Sequence, residues 1–169
     1  MIHKEGYFEG AVSKQIFYQS WLPETDPKAI LLIVHGMAEH SGRYQNVVDY
    51  FTPNGYAVYA LDQIGHGKSD GAQVFINRFE DFIITIKTFF EIIKTTHPDK
   101  PIFLVGHSMG GLITSACLLD YQDEFAGAII SGGMVSVPDF VTPATVTIGK
   151  ILSVLLPKLG LVYLEPAHI

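Results

Sequence analysis

The sequence predicts an α/β fold: a doubly wound, mostly parallel sheet with helices on both faces. Three observations predict it. From residue 29 onward, short apolar runs alternate with stretches of helical period, as a parallel sheet with crossover helices requires. The apolar runs, such as Ile102 to Val105 (I-F-L-V), are continuous rather than alternating, which suits strands buried on both faces. A glycine-rich junction, G-H-S-M-G at 106–110, follows one of these runs directly. It falls at the carboxyl end of a strand, where such sheets place their ligands.

The elements read in order as follows. Tyr7 to Ala11 and Gln15 to Trp21 form an opening hairpin, and Leu22 to Lys28, with two prolines, is a surface loop. Ala29 to Val34 is a buried strand, followed by the polar loop H-G-M-A-E-H-S-G-R-Y at 35–44. Tyr44 to Phe51 is helical, with Tyr44, Val47, Val48 and Phe51 on one face, and Pro53-Asn54-Gly55 ends it. Tyr56 to Leu61 is the next strand, and D-Q-I-G-H-G-K-S-D-G at 62–71 is a glycine-rich loop.

Asn77, with Glu80 three residues on, resembles a capping box. It opens the clearest helix, in which Phe79, Phe82, Ile83, Ile86, Phe89, Phe90 and Ile93 follow the 3.6-residue period. His97-Pro98 stops it. The helix after residue 108 should bury Leu112, Ile113, Ala116 and Leu119, with Cys117 beside them. Gly127 to Ser131 is one more strand. From Val137 the character changes, and Val146 to Leu156 reads as an apolar helix. Another core helix and a greasy lid over a site both fit that stretch.

Composition narrows the function. The net charge of −6 and the lack of any basic cluster give no support for nucleic-acid binding. Cys117 is the only cysteine, so no internal disulfide can form, which fits a reducing compartment. The first ten residues lack the basic-then-apolar pattern of a signal peptide. No apolar run is long enough to span a bilayer. The expected location is cytoplasmic, at most peripheral to a membrane.

The G-x-S-x-G pattern carries the chemistry. At average composition it arises by chance in roughly one chain in twenty of this length, so its context matters more than its letters. With an apolar strand before it and a helix after it, the pattern is a nucleophile elbow. Gly106 and Gly110 remove side chains that would clash in so tight a turn. The turn then presents the Ser108 hydroxyl at the strand tip, beside the Met109 N–H and the helix N-terminus.

Three stretches together, at 35–44, 62–71 and 106–111, resemble the α/β-hydrolase superfamily, and within it the monoacylglycerol lipases and lysophospholipases. The likeness extends to L-L-P-K-L-G-L at 155–161, which is similar to the early cap of those lipases. The resemblance implies that Ser108 is the acylated nucleophile and that the N–H groups of Met37 and Met109 form the oxyanion hole. It places Glu39 and Arg43 where the lipases hold the polar head of the substrate. It divides the chain into 1–136, the N-terminal part of the hydrolase core, and 137–169, the start of the cap. The implied activity is hydrolysis of monoacylglycerol-like lipid esters, without cofactor or metal. A lysophospholipase or general carboxylesterase, and a non-catalytic lipid- or partner-binding fragment, are the alternatives.

A serine hydroxyl needs a base, and in this fold an acid and then a histidine follow the serine in sequence. After Ser108 come Asp120, Asp123, Glu124, Asp139, Glu165 and His168, none of which makes a convincing pair. Both partners are therefore expected beyond residue 169, and the isolated chain is expected to be inactive. A sheet incomplete at its C-terminal side would leave an edge open to self-association. The cap could also touch a membrane. His66, between two glycines, has no partner ligands at metal spacing and reads as loop packing.

Overall fold

The structure is a computed structural model and describes residues 1–133, 136 and 141–156. The chain divides into two compact units, Met1–Gly133 and Met134–Ile169. The first contains strands β1 (Ile2–Glu9), β2 (Gln15–Leu22), β3 (Ile30–Val34), β4 (Ala57–Leu61), β5 (Ile102–His107) and β6 (Gly127–Ser131). Helices α1 (Gln45–Phe51), α2 (Glu80–Thr96) and α3 (Met109–Tyr121) connect them. The strand order is β1-β2-β4-β3-β5-β6. The β1–β2 hairpin joins β4 antiparallel, and β4, β3, β5 and β6 run parallel.

The continuous apolar runs are explained by two cores, one on each face. Ile30, Leu32 and Val34 of β3 enter one core with Phe82, Ile86 and Phe89 of α2 and Ile113 and Cys117 of α3. The alternate residues Leu31 and Ile33 enter the other, with Trp21, Val48, Val58 and Ala60. Tyr44, Val47 and Phe51, three of the residues expected on one helical face, pack against this second core. Since successive strand side chains point to opposite faces, a strand covered on both sides has no polar position to spare.

Several local expectations are corrected. β1 begins at Ile2, because its N-terminal half pairs with β2 up to Ile2↔Leu22 despite being exposed. Backbone pairing, not burial, makes that half a strand. Asn77 does not cap α2. The helix starts at Glu80 after Phe79, with no side-chain capping bond. Asp81, in the first turn of α2, is only 4% exposed, and its carbonyl accepts the Thr85 hydroxyl. In α3 the buried residues are Gly110, Gly111, Ile113, Thr114 and Cys117, while Leu119 is 82% exposed. The docking of the helix start against β3 sets its buried face, and Leu119 falls outside that face.

In the second unit α4 spans Pro143–Leu155, with Thr142 Oγ1 accepting from Thr145 N and proline in the first turn. None of its residues is buried. Asp139, Glu165 and His168 lie outside the described residues.

Candidate active site

The register of the parallel strands brings three loops together. Ile33 pairs with both Ala60 of β4 and Val105 of β5, and Val34 pairs with Gly106. The carboxyl ends of β3, β4 and β5 are therefore level. The loops starting at His35, Asp62 and Ser108 leave the sheet side by side. The chain runs from β3 outward to β4 and from β5 outward to β6, so the serine sits at the point where the sheet changes winding direction.

Ser108 joins β5 to α3 with φ 53° and ψ −117°. A non-glycine residue at positive φ costs on the order of 1–3 kcal/mol and persists only where its surroundings enforce it. Here they do. Ser108 N–H donates to Ser131 O of β6 at 2.9 Å, and Ser108 C=O accepts from Gly111 N (2.9 Å) and Leu112 N (3.2 Å). The two elbow glycines have steric roles. A methyl group on Gly106 would lie 2.4 Å from Thr114 Oγ1, and one on Gly110 would lie 1.9 Å from Val34 O. The first turn of α3 thus rests directly on the end of β3.

The loop after β3 meets the elbow from the other side. A methyl group on Gly36 would lie 3.3 Å from Ser108 Cβ and 3.3 Å from His107 O. Gly36 N–H donates to Glu39 Oε2 at 2.9 Å, and the Tyr44 hydroxyl donates to the same oxygen at 2.9 Å. Burial disfavours charge on Glu39, but the Gly36 and Tyr44 hydrogen bonds outweigh it and the carboxyl titrates below its ordinary value. Arg43 Nε lies 3.9 Å from Glu39 Oε1. No hydrogen bond among the described residues takes up the Met37 N–H. The Met109 N–H opens α3, where the first donors have no intrahelical acceptor.

Beneath this loop His35 is fully buried. Its Nε2 accepts from Gln63 N–H at 2.8 Å, so the proton resides on Nδ1, which donates to Gly36 O at 2.7 Å. Desolvation lowers its pKa to about 4. The 62–71 loop is scaffold. Asp62 Oδ1 accepts from Ser41 N–H (2.7 Å) and Oδ2 from Lys68 N–H (2.8 Å), while Asp62 O accepts the Ser69 hydroxyl (2.6 Å). One carboxylate thus ties the two glycine-bearing loops together. His66 Nδ1 lies 3.1 Å from Ile64 O, and its ring sits edge-on to that of His35. Among the described residues no group of three or more His, Cys, Asp or Glu side chains is placed to hold a metal ion.

Residues 25–168 match the Hydrolase_4 family, described as serine aminopeptidase, S33. The chain belongs to this family. It is 39% identical over 153 residues to the monoacylglycerol lipase of Mycolicibacterium smegmatis, covering 90% of this chain and 55% of that protein. It is 32% identical over 152 residues to the monoglyceride lipase of Homo sapiens, covering 89% and 50%. The solved monoacylglycerol lipase of Paleococcus ferrophilus superposes with a TM-score of 0.72 at 28% identity, covering 85% and 53%. A carboxyl esterase from Bacillus coagulans in complex with glycerol gives 0.77 at 26% identity, covering 94% and 51%. The chain spans about half the length of the curated relatives it matches. The resemblance to α/β-hydrolases carried by the three motifs is thereby borne out.

In this α/β-hydrolase the sheet brings together the stretches that hold Met37, Glu39, Arg43, Ser108 and Met109. It does not bring the nearest downstream acids to Ser108: Asp120, Asp123 and Glu124 are exposed at the far end of α3, and Glu124 pairs with Lys87. His107 is also exposed, with Nδ1 3.3 Å from Ser131 Oγ. Two participants are not apparent from the sequence. Tyr44 reads as one of the apolar residues of a helical face, yet its hydroxyl braces Glu39. Ser131 reads as the end of a strand, yet its carbonyl anchors the Ser108 amide. The five-residue spacing of Glu39 and Tyr44 across a turn is the available signal for the first, and nothing in the sequence marks the second.

Proposed function

We propose that the protein is a serine ester hydrolase acting on monoacylglycerol-like lipid esters. One observation carries the reading: Ser108 is held at positive φ between β5 and α3, with the Gly36 loop against its Cβ. On this reading the Ser108 hydroxyl lies beside the Met37 and Met109 amides, for which no acceptor is found among the described residues. The relatives named above for monoacylglycerol and monoglyceride lipase support the substrate class.

In this reading Ser108 Oγ attacks the ester carbonyl carbon. The Met37 and Met109 N–H groups stabilise the oxyanion of the tetrahedral intermediate. Arg43 and Glu39 Oε1 face the polar head of the substrate. A base from outside the described residues takes the Ser108 proton and returns it to the departing glycerol oxygen. Water then attacks the acyl-serine, releases the fatty acid and restores the hydroxyl. No described residue forms a hydrogen bond to Ser108 Oγ, which is why the base is assigned elsewhere.

The test uses the complete gene product. Ser108→Ala should lose turnover of a monoacylglycerol by several orders of magnitude and lose labelling by a fluorophosphonate. Near-wild-type turnover in that variant rejects the assignment. Parallel assays on a lysophospholipid and a short-chain ester rank the head-group preference.

Two partner readings accompany this one. The edge strand β6 exposes Ile129 and Ile130, so the chain by itself should self-associate through that edge. A clean monomer in sedimentation would count against it. Among the described residues no helix is long and apolar enough to cross a membrane. Contact with a bilayer would be peripheral, through the apolar residues of α4.

A further inference from the structure

Both polar groups of Gly36 are held by side chains. Its N–H donates to Glu39 Oε2 (2.9 Å), and its C=O accepts from His35 Nδ1 (2.7 Å). Each of those side chains is itself held. Tyr44 OH donates to Glu39 Oε2 (2.9 Å), and Gln63 N–H donates to His35 Nε2 (2.8 Å). The second bond also fixes the imidazole tautomer, because an Nε2 that accepts cannot carry the proton.

The consequence lies one atom further along the chain. The Gly36–Met37 peptide is trans. In a trans peptide the C=O of one residue and the N–H of the next point in opposite directions within one rigid plane. With Gly36 O drawn down onto the buried His35 ring, the Met37 N–H must point away from it. Gly36 itself rests against Ser108 Cβ.

We propose that Glu39, Tyr44 and His35 are positioning residues that clamp Gly36 and thereby set the direction in which the Met37 N–H meets the developing oxyanion. The proposal rests on the reading of Ser108 as nucleophile given above. It also separates the duties of the two Glu39 oxygens. Oε2 is committed to the loop through two hydrogen bonds, and Oε1, beside Arg43, is the one left for a head group. A donor aimed at an oxyanion contributes most when it is aligned before reaction, and losing one costs roughly 10²–10³ in kcat. A donor left in place but free to swing should cost a fraction of that.

The test compares two substrates of the complete gene product: a monoacylglycerol, and the p-nitrophenyl ester of the same fatty acid, which lacks the glycerol head. Tyr44→Phe keeps the ring and removes only the hydroxyl. It should lower kcat several-fold on both substrates and leave KM within about twofold, since a transition-state interaction acts on kcat. Glu39→Ala should lower kcat on both by about 10- to 100-fold, a part of the cost of a lost donor. Glu39→Gln retains a carbonyl oxygen for Gly36 N–H and Tyr44 OH and should recover most of that loss on the headless ester. A loss in Glu39→Ala confined to the glycerol ester, or appearing only in KM, overturns the clamp and leaves Glu39 a head-group ligand. Wild-type kcat for Tyr44→Phe on both substrates also overturns it. If Glu39→Ala does not fold, the Tyr44→Phe and Glu39→Gln results decide alone. Ser108→Ala separates the two proposals: activity there sinks the nucleophile reading, whereas its loss alongside wild-type clamp variants sinks only the clamp.

Discussion

Gly110 lies so close to Val34 that no side chain fits between them: a methyl group on Gly110 would sit 1.9 Å from Val34 O. The obstacle is strand backbone, which cannot swing aside. Gly110→Ala should therefore push the start of α3 off β3 and destabilise the protein by about 3 kcal/mol or more, the upper range for overpacking. Gly36→Ala meets its neighbours at the longer distances of 3.1–3.3 Å and should cost less stability while still lowering turnover. Chemical denaturation of both variants checks the order, and equal midpoints would contradict it.

Ala38 sits in the left-handed region at φ 58°. An L-residue pays roughly 1–2 kcal/mol there, and glycine avoids that at the cost of a more flexible unfolded chain. Ala38→Gly should gain about 0.5–1 kcal/mol, the difference between those two effects, read as a rise in Tm. A lower Tm would show that the loop derives something from the Ala38 methyl group that outweighs its backbone strain.

Asp62 holds the N–H groups of Ser41 and Lys68 with its two carboxylate oxygens. Its side chain is buried, as is Ser41. Asp62→Ala strands both donors, each worth roughly 1–3 kcal/mol when left unpaired. Asp62→Asn keeps one acceptor but turns an NH₂ toward the other donor, so it should be destabilised by a smaller amount. Because the 35–44 loop hangs on this carboxylate, activity should fall in both before the fold is lost. Urea titration beside turnover measures the two effects separately.

Acid should weaken the fold through His35 before the carboxylates titrate. Burial keeps His35 neutral down to about pH 4, whereas the unfolded chain takes up its proton near 6.5. Between those values the unfolded state binds more protons, so stability is fully present above about 6.5 and declines as pH falls toward 4. The window corresponds to roughly 3 kcal/mol. The groups facing His35 are His66, Asp62 and Glu39. His66 is shifted in the same direction, chiefly by desolvation, and should steepen the decline. Urea unfolding at several pH values between 7 and 4 should show it, and His35→Asn should flatten the curve. An unchanged slope in that variant would assign the acid sensitivity to other groups.

Local chemistry that repeats or contrasts along the chain was legible in the sequence. The apolar runs of β3, β4 and β5 and the aromatic stripe of α2 appear where expected, because burial on both faces leaves no alternative pattern. The elbow glycines flanking Ser108 announce a turn that only glycines permit. Features set by a neighbour distant in sequence were not legible. The exposed start of β1 is a strand because β2 lies beside it. Leu119 is exposed because α3 is oriented by its docking at Gly110 rather than by its own apolar residues.

Consecutive residues alone therefore set the order of strands and helices, the two-sided burial of the sheet and the turn that carries Ser108. Those follow from periodicity and from backbone freedom, which are local properties of a chain. It took the folded arrangement to make Glu39 Oε2, Tyr44 and His35 converge on Gly36, and to let Asp62 join two loops. Those contacts depend on the parallel register that levels the ends of β3, β4 and β5. A register is a relation between strands far apart along the chain, fixed by how their side chains pack, and no single stretch of sequence contains it.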